Sequence, residues 1–375
     1  MGNLFSSHTN TVWAKIVNDK SALFGIAIIA IAIIVSILGA HIRPDKSQNA
    51  DQKALAYAQK KPGFSGKFLR VKKSSISNEG SSGLFFGGIV DQYDYYPFYS
   101  YSLEDGKVII EEINGENEVL EGSKLIFELS TISDEPITSQ NFEEMCIIQK
   151  SYLLGTDKFG RDMLSRLMGG TIISLSVGCI AVLISLLIGI SLGSIAAYFG
   201  GWIDALIMWL VNVIWSIPTL LIVIALTLLF GKGFIQVFIA VGLTMWVEVA
   251  RVVRGEILSL KNKEFVEAAK SLGYSDLRIL VKHILPNALD PVIVISAANF
   301  ATAILLEAGL SFLGIGTQVP MPSWGYMIKE HYAYITTDLA YLAILPGLCI
   351  MFLVLAFTLI GNSLRNALDV RAIKA

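Results

Sequence analysis

The chain has 375 residues, of which 54% are hydrophobic and only 16% charged, and its mean hydropathy is +0.61. Water-soluble domains carry about 25% charged residues, so the composition excludes an ordinary soluble domain and points to a protein embedded in lipid. The net charge of −2 averages over regions of opposite sign and identifies no partner.

Six charge-free runs follow one another along the chain: Ser21 to Ala40, Thr171 to Ile203, Ala205 to Gly231, Gly233 to Val247, Pro291 to Leu306 and Leu339 to Leu364. A helix needs about 20 such residues to cross the hydrocarbon. The fourth and fifth runs are shorter, but each continues past a single acid, Glu248 or Glu307, into further apolar sequence. The expected fold is an all-α polytopic membrane protein with six transmembrane helices and a small, β-containing external insert. The first run could instead be a secretory signal peptide, since Lys15 and Lys20 precede it. Its apolar stretch is longer than the usual about 7–15 residues, and Leu38 occupies the upstream small-residue position of the best cleavage candidate at Ala40, so it reads as a retained span.

Basic residues of short loops stay on the cytoplasmic side. Between Arg251 and Asp290 lie Arg251, Arg254, Lys261, Lys263, Lys270, Arg278 and Lys282, whereas the loop after the fifth span has only Lys329. This places the 251–290 loop in the cytoplasm, together with both termini, which carry Lys15 and Lys20 at one end and Arg365, Arg371 and Lys374 at the other. The resulting division is a cytoplasmic N-terminus (1–20), a first span (21–40), an extracytoplasmic insert (41–151), a core of five spans (152–369) and a cytoplasmic tail (370–375). Cys179 and Cys349 fall in spans and Cys146 in the insert, so no disulfide is expected.

The insert is long enough to fold by itself. Its first half is basic, with Lys53, Lys60, Lys61, Lys67, Arg70, Lys72 and Lys73. Its second half is acidic, and the β-like runs Lys107 to Glu112 and Lys124 to Leu129 flank Asn114-Gly115, a hairpin signal. Tyr93, Tyr95, Tyr96, Phe98, Tyr99 and Tyr101 surround Pro97, either as the core of a small domain or as a docking surface.

Within the spans, Ser185, Gly189, Gly193 and Ala197 set small side chains on one helix face, which permits close helix contact. Pro218 and Pro346 interrupt the third and sixth spans. Glu307 is the deepest acid, while Asp204 and Glu248 lie near the cytoplasmic ends of their spans, where snorkelling or pairing with Arg251 and Arg254 would suffice. That is too few for a buried proton relay. His8, His41, His283 and His331 are scattered, without the spacing of a metal site or a triad. No enzyme, cofactor or metal is expected, and no nucleic-acid surface.

Two segments carry most of the functional information. The first is Leu154-Gly155-Thr156-Asp157-Lys158-Phe159-Gly160-Arg161-Asp162, then Ser165-Arg166. Its glycine spacing approaches that of a phosphate loop, but Arg161-Asp162 replaces the Lys-Ser/Thr pair, and Asp157 and Asp162 would repel an anion. The second is Glu264 to Asn287, a polar helix-turn-helix. There Gly273 suits a left-handed cap, Ser275 suits the start of a second helix, and Pro286 and Pro291 are expected to kink or break it. Glu267-Ala268-Ala269, Gly273 and Leu285-Pro286 resemble the cytoplasmic coupling loop of ABC-importer permeases. The departure at His283, and the segment around Gly160, resemble the dipeptide and oligopeptide branch.

The resemblance covers about Tyr152 to Asp369 and leaves the insert unmatched. It implies a permease in the inner, cytoplasmic membrane that forms a pathway with a second permease subunit. One or two ABC ATPase subunits would dock at Glu267, Ala268, Ala269, Gly273, Leu285 and Pro286, and a substrate-binding protein would dock outside. Asp157, Gly160, Arg161, Asp162 and Glu307 would then be gating or external-surface residues. Peptides are the expected cargo, with nickel complexes and other small solutes as alternatives. An ion-coupled secondary transporter, or a sensor or scaffold using the insert as a ligand module, are the readings from other classes.

Overall fold

A computed structural model of the chain describes residues 13–73, 91–113, 119–132, 137, 140–231 and 233–368. The first apolar run folds as α1 (Lys20–Ile42), capped by Asp19, which accepts the Ser21 amide at 2.9 Å. The cap satisfies a donor that a helix start leaves open. The second run forms α2 (Met163–Phe199), begun by Asp162 accepting the Ser165 amide at 2.8 Å. At about 1.5 Å per residue α2 is roughly 55 Å long, against roughly 30 Å of hydrocarbon. It therefore has length to spare for polar turns at its start.

The third run is not a single kinked span. It divides into α3 (Gly201–Trp215) and α4 (Thr219–Phe230), bent by 92°. Pro218 makes the corner because it fixes its own φ and disfavours helical geometry at Ile217. α5 (Phe234–Leu260) then packs parallel to α2, the contacts advancing together from Ala181 and Gly242 to Gly193 and Val253. An added Cβ on Gly189 or Gly193 would stand 2.6 Å from Val249 or 2.5 Å from the Ala250 carbonyl, and Ser185 and Ala197 are buried in the same stripe. The chain leaves α2 beside the C-terminal end of α5, where Lys261 Nζ reaches the Ala197 carbonyl at 3.4 Å. It enters α5 where Phe238 packs with Val177 and Ala181, about 30 Å back along α2. Between those two points α3 and α4 together make one crossing, so the bundle has six.

α6 (Glu264–Ser271) and α7 (Asp276–Ile279) form the polar loop, and α7 continues through a wide π turn (Leu280–Ile284) into α8 (Leu285–Leu313). The break expected at Pro286 does not occur. A proline clashes with the carbonyl four residues earlier, and a π turn widens the helix where that clash would fall. Pro291 likewise sits inside a continuous α8. α9 (Trp324–His331) and α10 (Tyr341–Leu368) complete the bundle, with α1 lying on α10 so closely that a Cβ on Gly25 would meet the Ala356 carbonyl at 2.8 Å.

The insert is a five-stranded antiparallel sheet of β1 (Phe64–Lys72), β2 (Tyr93–Glu104), β3 (Lys107–Ile113), β4 (Val119–Glu128) and β5 (Ile147–Tyr152), in the order β4-β3-β2-β1-β5. The aromatic cluster is β2. Phe98 is buried against Leu69, Val108 and Ile110, and Tyr96 and Tyr101 pack on that core, while Tyr99 stays exposed. Pro97 lies where β2 passes from pairing with β1 to pairing with β3, beside a bulge between Phe98 and Ser100. A residue without an N–H is tolerated at such a break in the ladder. Asn114-Gly115 lies outside the described residues; the tight turn seen is Asp105-Gly106, with φ of 45° and 74°, joining β2 to β3.

Candidate functional site

α6 is short and two-faced. Val266 and Ala269 are buried in a cluster with Tyr198, Val253, Ile257, Ile279 and Ile284, whereas Glu267 and Ala268 face outward. Of the two alanines, then, only Ala268 offers its methyl to a partner. Gly273 ends the helix at φ 75°. Its amide donates to the Lys270 carbonyl at 2.9 Å and the Tyr274 amide to the Ala269 carbonyl at 3.3 Å, the paired bonds of a Schellman motif. Ser275 occupies the first position before α7 in extended geometry, but its side chain makes no capping bond, contrary to expectation. Asp276 is held instead, by the Tyr198 hydroxyl at 2.6 Å.

Other bonds tie the end of α5 to α2 and α3 and hold the loop together internally. Lys261 Nζ donates to the Tyr198 carbonyl, and Arg254 binds both oxygens of Asp204 at 2.6 Å. Arg278 lies 4.1 Å from the centre of the Tyr274 ring, and His283, the departure from the apolar residue usual there, stacks on the same ring at 5.6 Å. Leu285 is half-buried and Pro286 exposed. The loop is therefore joined to α2 through Asp276, packed on α2 and α5 through its buried stripe and continuous with α8 through the π turn, while exposing apolar side chains outward. Leu272, just past α6, is 72% exposed and Leu277 on α7 71%, and Phe265 on α6 and Val281 in the π turn are exposed as well. Exposed apolar residues concentrated in a polar loop mark an interaction surface. The motif comparison missed Leu272, Leu277 and Val281; the available signal was that they lie off the buried Val266, Ala269, Ile279 and Ile284 stripe.

At the insert end of the bundle, Asp157, Gly160, Arg161 and Asp162 are buried beneath residues 51–60 and do not form an external surface. A Cβ on Gly160 would stand 1.9 Å from the Ala54 carbonyl, and one on Gly155 2.3 Å from that of Lys60. Arg161 donates to Asp157 at 2.6 Å, to Asp51 of the insert's foot at 3.0 Å and to Glu330 of α9 at 3.0 Å. Burial alone would lower the Arg161 pKa, but Asp157 and Glu330 hold it above its ordinary value. Arg166 is fully buried nearby, 3.7 Å from Asp51 and 3.9 Å from Asp157. Four segments thus converge on two guanidinium groups. Asp51 and Glu330 were not legible in the sequence, because nothing local ties positions 51 and 330 to 161.

Glu307 lies apart from that cluster and is fully buried. One carboxylate oxygen accepts from Ser311 at 2.6 Å, Ser323 at 2.8 Å and Thr317 at 3.4 Å, stapling the end of α8 to the segment before α9. Of the other two acids, Asp204 pairs with Arg254 as expected. Glu248 does not pair, because Arg251 turns to Asn212 at 2.6 Å and to the Trp215 ring at 3.5 Å.

Six crossings with a polar loop that carries exposed apolar residues at one end are the build of a transporter's membrane subunit. Residues 189–374 match the family described as binding-protein-dependent transport system inner membrane component. The chain is 41% identical over 219 residues to a glutathione transport system permease protein of Pectobacterium atrosepticum, covering 58% of this chain and 72% of that one. It is 42% identical over 215 residues to a dipeptide transport system permease protein of Alkalihalophilus pseudofirmus (57% and 70%), and 39% over 220 residues to an oligopeptide transport system permease protein of Bacillus subtilis (59% and 72%). The chain belongs to this family. It is a multi-pass permease subunit of an ABC importer rather than an enzyme, and ATP hydrolysis in such importers is the work of a separate ATPase.

Proposed function

We propose that this permease carries di- and oligopeptides inward, with a second permease chain completing the pathway and a substrate-binding protein delivering cargo on the side of the insert. The cargos printed for the three relatives are glutathione, dipeptides and oligopeptides, all of them short peptides, and this supports the class. Both termini and the 251–290 loop lie in the cytoplasm in this reading, as the basic residues of that loop favour.

The observation that carries the mechanism is the loop's combination of an exposed apolar face with rigid attachment to α2, α5 and α8. An ATPase that closes on ATP would bind Phe265, Ala268, Leu272 and Leu277, with Glu267 at the polar edge. Its motion would pass through the Gly273 cap and Asp276 to Tyr198, and through the π turn to α8. Ala269, Leu285 and Pro286 support that surface from behind or beside it. Glu307 and the Arg161 cluster, at the other end of α8 and α2, would be where the movement opens or closes the outer mouth. ATP-driven uptake of a labelled tripeptide by the reconstituted complex tests the proposal. Uptake that needs ATP and is lost in Glu267→Lys, with membrane abundance unchanged, is the expected result; uptake driven by a proton gradient without ATP would overturn it.

A further inference from the structure

We infer that Glu248 is a cargo contact, its carboxylate receiving the ammonium group at the free amino terminus of a peptide in transit. The inference rests on the peptide reading above. Glu248 lies near the middle of α5, a helix long and apolar enough to cross the membrane, and it is exposed. Among the described residues it has no hydrogen-bond or ion-pair partner. Glu248 stands one turn before Arg251, where the apolar run meets the cytoplasmic loop, and a carboxylate there needs water, a cation or a polar path to face. The cations of its own helix are already engaged: Arg251 by Asn212 and the Trp215 ring, and Arg254 by both oxygens of Asp204.

Glu248 lines a recess of about 90 Å³ at the corner between α3 and α4, whose polar lining is Thr219, Thr244 and Thr302, whose aromatic wall is Trp215 with Arg251 on its ring, and whose remaining wall is apolar. The Thr244 hydroxyl donates to the Val241 carbonyl at 2.8 Å and that of Thr302 to the Ala298 carbonyl at 3.0 Å. Their protons are committed along their own helices, so both oxygens have lone pairs left to offer. A carboxylate beside two hydroxyl acceptors suits a compact cation with several N–H donors, which describes an ammonium group. Thr302 also lines a second, larger cleft of about 780 Å³ between α8 and α10, which Val252, one turn beyond Glu248, lines as well. That volume is within the range that encloses a small ligand. A peptide extended along the cleft would bring its amino terminus to the recess.

The test compares wild type, Glu248→Gln and Glu248→Asp in the complete complex, reconstituted in vesicles with its binding protein, using trialanine and N-acetyl-trialanine. The expected result is that Glu248→Gln raises the KM for trialanine uptake about tenfold. Glu248→Asp recovers part of the loss, any uptake of the acetylated peptide is unchanged, and recovery of the second permease with the complex is normal. Unchanged trialanine uptake in Glu248→Gln overturns the inference and leaves the peptide reading standing. Loss of the second permease from the Glu248→Gln complex also overturns it, by assigning the carboxylate to assembly. Failure of the wild type to take up any peptide removes the peptide reading and this inference together.

Discussion

At the scale of single residues, Arg161 has the most demanding position. Removing its guanidinium takes the shared cation from Asp157 and Glu330, both buried, and breaking a buried ion pair from one side typically costs about 3–5 kcal/mol. Arg161→Ala is therefore expected to lower the melting temperature of the detergent-solubilised permease sharply, measured by a fluorescence-detected unfolding scan, whereas an exposed change such as Lys53→Ala should not move it. Gly160 and Gly273 make a second contrast. Both hold positive φ, but a Cβ on Gly160 collides with Ala54 whereas one on Gly273 meets nothing within 4 Å. Gly273→Ala should cost only the left-handed backbone penalty of about 1–2 kcal/mol, and Gly160→Ala should abolish accumulation; immunoblots of membrane fractions compare the two. The Asp157–Arg161 and Asp204–Arg254 pairs lie within or near recognisable motifs and could be anticipated. The partners Asp51 and Glu330 could not, since an ion pair across 110 or 169 positions leaves no trace in a single sequence.

At the scale of elements, the insert joins the permease differently from what its composition suggests. Gly63 donates to the Tyr152 carbonyl at 3.0 Å, and Phe64 and Ser65 face Tyr152 and Ser151 across the β1–β5 ladder. The sheet therefore enters and leaves through neighbouring strands, while residues 51–61 belong structurally to the core through Asp51, Ala54 and Lys60. Joining Ser65 to Ser151 with an Asn-Gly turn should remove the sheet and leave an assembled permease, because adjacent antiparallel strands are bridged by two residues. Replacing everything from Asp51 to Lys150 should fail, because it strips the carboxylate from Arg161 and the cover from Gly160. Size-exclusion profiles and membrane yield of the two deletions distinguish these outcomes. β-strands and apolar helices were legible because each has a period or a length to read. The α3–α4 corner and the uninterrupted α7–α8 path were not, since proline marks a disturbance without saying whether the helix turns a corner or widens to absorb it.

At the scale of the whole molecule, the six crossings put the sheet and the α6–α7 loop at opposite ends, so that one end can meet cargo while the other meets the energy source. Cys146 is buried in the insert, so a thiol introduced at exposed Tyr99 reports the side of the membrane better. Tyr99→Cys should react with an impermeant maleimide in intact cells whose outer barrier alone has been opened. The family was legible because its motif sits in a loop whose backbone geometry is demanding; the cargo was not, because a lone carboxylate such as Glu248 has no spacing or motif around it to read. The central claim is that an ATPase drives this permease through the apolar face of that loop. The most direct measurement is ATP-driven tripeptide uptake by the reconstituted complex carrying Leu272→Asp with Leu277→Asp, two exposed changes that leave the buried stripe untouched. The account predicts an intact permease in the membrane, loss of the co-purifying ATPase and uptake reduced at least about tenfold, as expected when charges replace a docking core. Uptake at the wild-type rate with the ATPase still bound would contradict it.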